Sequence, residues 1–240
     1  MSQRQSDRVP NNFLIASLTP MVSSSSYIII NRNRYSMGMR IILASGSASR
    51  KSILESAGIT PVLHPADVDE DVIIATLTGA APEDVVLALA RAKATMVATE
   101  YPHDVVIGAD SMLLLDGKLQ GKPYTEAEAI NRWHKQRGKT AHLITGHHII
   151  APSADYCAAA TTTVRFAADI TDADIAAYAA TGEPLPCAGA FTLEALGGWF
   201  IDRIEGDPSN VIGLSLPVVR RALYHFGYDV HDFWNRRKAE

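Results

Sequence analysis

The chain has 240 residues, of which 47% are hydrophobic and 20% are charged. Its 22 basic and 26 acidic side chains leave a formal net charge of -4. This weak negative charge argues against broad binding of nucleic acid polymers or anionic membranes, because such binding surfaces require a basic excess. No apolar run approaches the roughly 18 residues that a membrane-spanning helix needs, so the sequence predicts no membrane association.

The cysteines and histidines show no metal-binding pattern. The only two cysteines, Cys157 and Cys187, exclude a cysteine-rich zinc site and favour the reducing cytoplasm. The eight histidines form no HExxH motif. His142, His147 and His148 lie in an alternating stretch that predicts a half-exposed strand, so transition-metal chemistry is not expected.

The N-terminal residues 1–38 show no usable hydrophobic periodicity and contain a single acid, Asp7. Two interpretations remain open: a disordered extension, such as an Arg- and Ser-rich transit peptide, or a mis-assigned start with Met37 or Met39 as the initiator. The apolar stretch directly after Met39 predicts a buried strand. We therefore expect one folded domain over residues 39–235.

Strand and helix patterns alternate through this domain, which predicts an α/β fold. Strands are assigned from apolar runs, and helices from 3.6-residue periodicity with capping residues. The predicted elements are a strand at 40–44, a helix ending before Gly58, a helix at 82–99, a strand at 104–109, a turn at Asp116-Gly117, a helix beginning at Thr125, strands near 141–151 and 156–167, a helix capped by Thr171, a strand at 198–204 and a last helix from about 215.

A small-residue loop, Ser45-Gly46-Ser47, joins the first strand to the first helix. Its hydroxyls and backbone N–H groups would converge at the positive end of the helix dipole, an arrangement that suits phosphate. Arg50 and Lys51 oppose that dipole, so an anionic ligand would explain their position. The alternative is that Ser47 is a simple N-cap and that both cations are solvated.

Candidate acids occur in two places. Asp110 interrupts the apolar run 105–115, where a buried carboxylate is costly unless it faces a cleft, a cation or a metal. We expect it at the end of a strand, where α/β folds bind ligands, although a surface acid is the alternative. The segment Asp67–Asp71 holds four acids and is predicted to be mostly loop, either solvated or supplying one or two ligands to Mg²⁺.

Two lysines complete the candidate site. Lys93 lies beside the apolar stripe of its helix, where its ammonium either reaches a cleft or extends to solvent. Lys122 follows the predicted hairpin, so it either folds back over the same cleft or is a simple turn lysine. Together, the anion-binding serine loop, the acids that could bind a metal and the two lysines are the groups that hydrolysis of a phosphate chain requires.

Short sequence blocks occur in order between Met39 and about Leu223. They are Leu43–Ser47 with Arg50, Val68–Glu70, Leu89–Ala94, Ile107–Asp110, Gly121–Pro123, Thr145-Gly146, Cys187–Phe191 and Asn210–Leu214. In number, order and spacing they resemble the Maf family of nucleoside triphosphate pyrophosphatases, once described as septum-formation inhibitors.

The resemblance implies a Maf/ITPase-like α/β fold, with a mixed twisted sheet, flanking helices and two lobes around a central cleft. It also implies hydrolysis of a nucleoside triphosphate to a monophosphate and diphosphate, with Mg²⁺ or Mn²⁺ as cofactor and a homodimer as the usual assembly. Asp110 matches the family's proton acceptor. The family's polar cleft residues are matched by Ser45, Arg50, Glu70, Lys93 and Lys122, and we expect Glu70 and Asp110 to hold the metal.

Departures from the family pattern bear on substrate choice. Ala48 replaces the usual Pro, Ser49 occupies the variable specificity position beside Ser47, and Ser111 stands where Thr or Gln is usual. We expect Ser47, Ser49 and Ser111 to contact the substrate. Ser49 cannot stack on a cationic methylated base as Trp would.

Glu194 stands where members selective for thymidine and uridine nucleotides carry Gln. With Cys187 in the preceding loop, it resembles the 7-methyl-GTP branch. An ionised Glu only accepts hydrogen bonds and can take both guanine donors, N1–H and N2–H₂. A guanine-type substrate is therefore expected. The alternatives are a dTTP- or UTP-selective pyrophosphatase, a hydrolase that removes a terminal phosphate, and a non-enzymatic cell-division protein.

Overall fold

A computed structural model describes residues 38–235 of the chain. Apart from Gly38, the predicted N-terminal extension lies outside these residues, so the domain boundary stays a prediction. The elements are β1 (Ile41–Leu43), α1 (Ala48–Ser56), β2 (Val62–Leu63), α2 (Glu70–Thr76), α3 (Pro82–Ala98), β3 (Val105–Leu115), β4 (Lys118–Gln120), α4 (Glu126–Gln136), β5 (Thr140–Ala151), β6 (Ala154–Phe166), α5 (Asp172–Ala180), β7 (Ile201–Glu205), α6 (Pro208–Ile212) and α7 (Leu216–His225).

The strands form a seven-stranded mixed sheet in the order β2-β1-β3-β5-β6-β7, with β4 paired to β3. β1 runs parallel to β2 and β3, whereas the other pairs are antiparallel. Helices flank this sheet, so the predicted mixed α/β fold is confirmed. None of the helices within residues 38–235 combines the length and hydropathy needed to cross a bilayer.

Two large apolar clusters correspond to the two expected lobes. One is built around Trp133, whose ring meets Phe166 and Tyr178 edge-on at centroid distances of 5.4 and 5.8 Å. The other contains Ile41 and Leu43 of β1 together with residues of α1 and α7. Both clusters pack on the same sheet, which gives the molecule a continuous framework.

α3 lies unusually close to the sheet because glycines stand beneath it. A Cβ atom at Gly108 of β3 would overlap the Ala90 carbonyl, and one at Gly146 of β5 would overlap the Val86 carbonyl. The absence of side chains at these two positions lets the helix backbone rest on the strands. This contact sets the depth at which the side chains of α3 enter the sheet region.

Two local predictions were wrong, and one helix was not predicted. The strand predicted at 198–204 begins at Ile201, because 196–200 forms a 3₁₀ turn. The acidic segment is mostly loop, as predicted, but its last two residues begin α2, which was not predicted: the Asp69 side chain accepts a hydrogen bond from the Val72 amide and caps this helix. His147 and His148 are buried rather than half-exposed, since β5 lies between β3 and β6.

Candidate active site

All the predicted site residues line one cavity of about 570 Å³. They come from the loop after β1, from α1, α2, α3 and β3, and from two later loops. They are Ser45, Ser47, Ser49, Arg50, Glu70, Lys93, Asp110, Ser111, Lys122 and Glu194. The fold therefore collects side chains that are up to about 150 positions apart in the chain.

Asp110 lies inside a strand, not at a strand end as predicted. It is the sixth residue of β3, which pairs with β5 through Asp110 and Gly146. On the other side, β1 pairs with β3 only as far as Ile107, where Leu43 ends β1. The strand end that matters is therefore that of β1, and the carboxylate lies just beyond it.

Lys93 connects two carboxylates in the cavity. Its Nζ lies 2.5 Å from Asp110 Oδ1 and 2.7 Å from Glu70 Oε1. Lys93 and Asp110 are each only 7% exposed. A buried charge requires a partner, so removing one member of this cluster would leave another uncompensated.

Glu70 is held ionised by the cations around it. Partial burial acts to raise the pKa of its carboxyl, but the hydrogen bond and charge of Lys93, with the charges of Lys122 and Arg50, outweigh burial and lower that pKa below its usual value. Within residues 38–235, no three His, Cys, Asp or Glu side chains form a ready-made metal cluster.

Arg50 holds three parts of the cavity wall together. Its Nη1 donates to Ser45 Oγ at 3.1 Å, its Nη2 to Ser111 Oγ at 3.1 Å, and its Nε to the Gly213 carbonyl at 2.8 Å. Ser111 also bonds Thr145 Oγ1 at 2.9 Å. These bonds, within the described chain, use three of the five guanidinium N–H groups, so two remain for a ligand.

In the first turn of α1, each of the two interpretations of the serine loop holds for some of the residues. Ser47 caps α1 by accepting from the Arg50 amide at 3.4 Å, and Lys51 pairs with Glu55 on the half-exposed side at 3.4 Å. Arg50 instead faces the cavity, where burial lowers the pKa of its guanidinium and the charges of Asp110 and Glu70 partly oppose that effect. Of the two cations, only Arg50 lines the cavity, where an anionic ligand could reach it.

The end of the cavity that the two later loops line is more exposed. Glu194 and Lys122 are exposed, and Glu194 Oε2 accepts a hydrogen bond from the Leu193 amide at 3.1 Å. Cys187 also lines this end, and burial, followed by the charges of Glu194 and Glu183, raises the pKa of its thiol to about 11. Cys187 is therefore a neutral wall residue at pH 7.

Sequence reasoning missed several residues of this site. The Gly213 carbonyl and Thr192 line the cavity, but a backbone acceptor and a loop threonine have no distinctive pattern. Glu183, four residues before Cys187, does not line the cavity and was not singled out from the sequence.

A mixed sheet whose cleft gathers cations, carboxylates and a helix N-terminus is typical of proteins that bind an anionic ligand. A family model described as "Maf-like protein" matches residues 40–226. The chain therefore belongs to this family.

Curated relatives agree. "Nucleoside triphosphate pyrophosphatase" of Corynebacterium diphtheriae is 66% identical over 197 residues, covering 82% of this chain and 99% of that protein. A protein of the same name in Corynebacterium glutamicum is 61% identical, covering 82% of this chain and 100% of its own length. In Nocardia farcinica the identity is 49%, with coverages of 82% and 98%.

Proposed function

We propose that this protein hydrolyses nucleoside triphosphates between the α- and β-phosphates, releasing a nucleoside monophosphate and diphosphate. The enzyme class rests on relatives of that name that match along almost their whole length, so the protein is a hydrolase of the nucleoside triphosphate pyrophosphatase class. The observation that best supports cleavage within this cavity is Lys93 held between Glu70 and Asp110 beside Arg50.

The carboxylates of Glu70 and Asp110 fit a divalent cation, Mg²⁺ or Mn²⁺. Both lie within 2.7 Å of the same ammonium nitrogen, which shows that they converge on a point where positive charge is stabilised. Mg²⁺ is commonly held by one or two carboxylates together with substrate phosphates. When bound, such a cation would neutralise charge on the triphosphate oxygens.

The remaining steps fall to the side chains. Asp110 would orient the attacking water and accept its proton, because it is the buried carboxylate at the cavity floor. Lys93, Arg50 and Lys122 would neutralise the charge that grows on the phosphoryl oxygens and the leaving diphosphate. The loop Ser45–Ser49 would hold the phosphate chain at the N-terminus of α1.

Recognition of a guanine-type base is the finer part of the proposal. Glu194 supports it, because a carboxylate at the exposed end of the cavity can accept from N1–H and N2–H₂ of guanine. Ser49 lines the cavity without an aromatic ring, so stacking on a methylated base is not part of the recognition. Ser111 would act on the substrate through Arg50, to which its hydroxyl is bonded.

The assay is the identity of the released product with Mg²⁺ present, over GTP, 7-methyl-GTP, dTTP, UTP and CTP. Diphosphate release with GTP or 7-methyl-GTP preferred supports the proposal. Release of orthophosphate would contradict cleavage at the α–β bond, and a clear dTTP or UTP preference would contradict guanine recognition. No turnover of any nucleotide would favour a non-enzymatic cell-division role.

Three further expectations belong to the proposal. We place the protein in the cytoplasm, and its two free thiols support this location. We expect residues 39–235 to form a single domain. We also expect the protein to form a homodimer. Limited proteolysis tests the domain boundary. Sedimentation of the full chain tests the dimer, and a monomer at micromolar concentration would overturn it.

A further inference from the structure

Glu183, in the loop after α5, accepts hydrogen bonds from four groups although it does not line the cavity. Its Oε1 receives the Tyr178 hydroxyl at 3.1 Å, the Thr192 hydroxyl at 2.5 Å and the Gly197 amide at 3.0 Å. Its Oε2 receives the Leu196 amide at 3.2 Å. One carboxylate therefore organises groups from three separate points of the chain.

These bonds hold both ends of the segment 192–197. Thr192 begins the segment and its amide donates to the Tyr178 hydroxyl at 3.2 Å, whereas Leu196 and Gly197 end it. The two ends touch: a Cβ atom at Gly197 would overlap the Thr192 carbonyl. Glu194 lies between the anchored ends and lines the cavity together with Thr192.

We propose that Glu183 is a positioning residue for base recognition: it closes the segment 192–197 into a loop that presents Glu194 to the nucleobase. This inference rests on the proposed function of Glu194. The recognised group is a planar base with adjacent N–H donors, as in guanine, which needs an acceptor held at a defined position.

The strength of this loop closure comes from the charge on Glu183. Partial burial acts to raise the pKa of its carboxyl, but the bonds from Thr192, Gly197, Leu196 and Tyr178 outweigh burial and keep that pKa below its usual value. Hydrogen bonds to an ionised acceptor are roughly twice as strong as neutral ones. Without the carboxylate, the donors at both ends of the segment would have no common partner.

The variants Glu183→Ala and Glu183→Gln remove different numbers of these hydrogen bonds. Alanine removes every bond, whereas glutamine can keep the three bonds to its carbonyl oxygen and loses only the one that Leu196 donates. We expect KM for GTP to rise about tenfold in the alanine variant with kcat within about threefold, because the triphosphate contacts remain. The glutamine variant should recover most of this loss.

Asp104→Ala is the matched control. Its carboxylate also accepts several bonds, from the Arg40 amide at 2.8 Å and from the Arg40 guanidinium at 2.6 and 3.3 Å, and it is buried outside the cavity. This variant should lower the melting temperature without changing base selectivity. Loss of selectivity in the control equal to that of Glu183→Ala would overturn the proposal.

Binding and hydrogen exchange judge the proposal independently of turnover. The Kd for α,β-methylene GTP divided by the Kd for α,β-methylene UTP should rise about fivefold or more in Glu183→Ala, and the Leu196 and Gly197 amides should exchange faster. An unchanged ratio in a folded variant overturns the role of Glu183. If the wild type binds the analogues but cleaves no nucleotide, only the proposed hydrolysis fails; if it binds neither, both proposals fail.

Discussion

The two ends of the cavity are built on different principles. At the phosphate end, defined here as Arg50, Glu70, Lys93 and Asp110, charged groups contact one another at 2.5 and 2.7 Å and the central pair is buried. At the base end, defined as Cys187, Thr192 and Glu194, the charged group is exposed. A carboxylate outside the cavity holds that segment from behind.

Under the proposed function, this difference would separate the reaction from the choice of substrate. Charges buried among strands and helices are costly to change, because each one compensates another. A loop held by hydrogen bonds to one carboxylate can change its side chains without disturbing the sheet. Variants at the phosphate end should therefore reduce turnover of all nucleotides, whereas variants at the base end should change their ranking.

The largest effect is expected at Asp110. Asp110→Asn keeps the shape of the side chain but removes the proton acceptor, so kcat should fall about a thousandfold for every nucleotide at saturating Mg²⁺. Assays of diphosphate release, stopped at fixed times, measure this fall in kcat. Asp67→Asn, at an exposed acid of the same segment that does not line the cavity, should leave turnover unchanged. Near wild-type turnover of Asp110→Asn would show that another group takes the proton.

Acid should weaken the framework beneath the phosphate end through His147. Burial, with the charge of Arg50, lowers the pKa of this imidazole to about 4, and its Nε2 accepts a hydrogen bond from the Ser215 amide at 2.9 Å. The neutral ring thus stabilises the fold above the unfolded pKa of about 6.5, and this stability, about 3 kcal/mol, is lost as the pH falls toward 4.

Denaturant unfolding at pH 7, 5.5 and 4 measures this loss. His147→Gln keeps an acceptor but does not titrate, so its free energy of unfolding should fall less over the same range. Parallel curves for the two proteins would show that His147 is not the group responsible.

A smaller effect is expected at Arg50. Arg50→Lys keeps the charge, but an ammonium cannot bond Ser45, Ser111 and the Gly213 carbonyl together in a planar fork. We expect kcat/KM to fall about thirtyfold, with KM raised, because the side chain contacts charge already present in the bound substrate. Lys51→Arg, next to it on the half-exposed side of α1, should change kcat/KM less than twofold.

The smallest effect is expected at Glu194 and concerns ranking alone. Glu194→Gln should lower the ratio of kcat/KM for GTP over UTP about tenfold, because an amide pairs with uracil better than a carboxylate does. Glu205→Gln on β7 is the control with an exposed glutamate outside the cavity. A uniform loss for both nucleotides would place Glu194 with the phosphate end.

Much of the fold could be predicted because its signals are local. Thr125 and Thr171 cap α4 and α5 as expected, and the alternation of apolar runs predicted the mixed α/β order. α2 was missed because its first turn is acidic, which reads as loop although acids stabilise a helix N-terminus. The burial of His147 was missed because alternation on one strand does not reveal what covers both faces.

The sequence by itself determined the element order, the family and the set of polar residues that line the cavity, because these depend on neighbouring residues and on motif spacing. Only the tertiary structure decided how those residues act. The early end of β1 leaves Asp110 facing the cavity from within a strand, two glycines bring the helix of Lys93 close to the sheet, and Glu183 bonds both ends of a segment that begins nine positions later. Each depends on contacts between distant segments, which packing of the sheet and helices creates and local patterns do not encode.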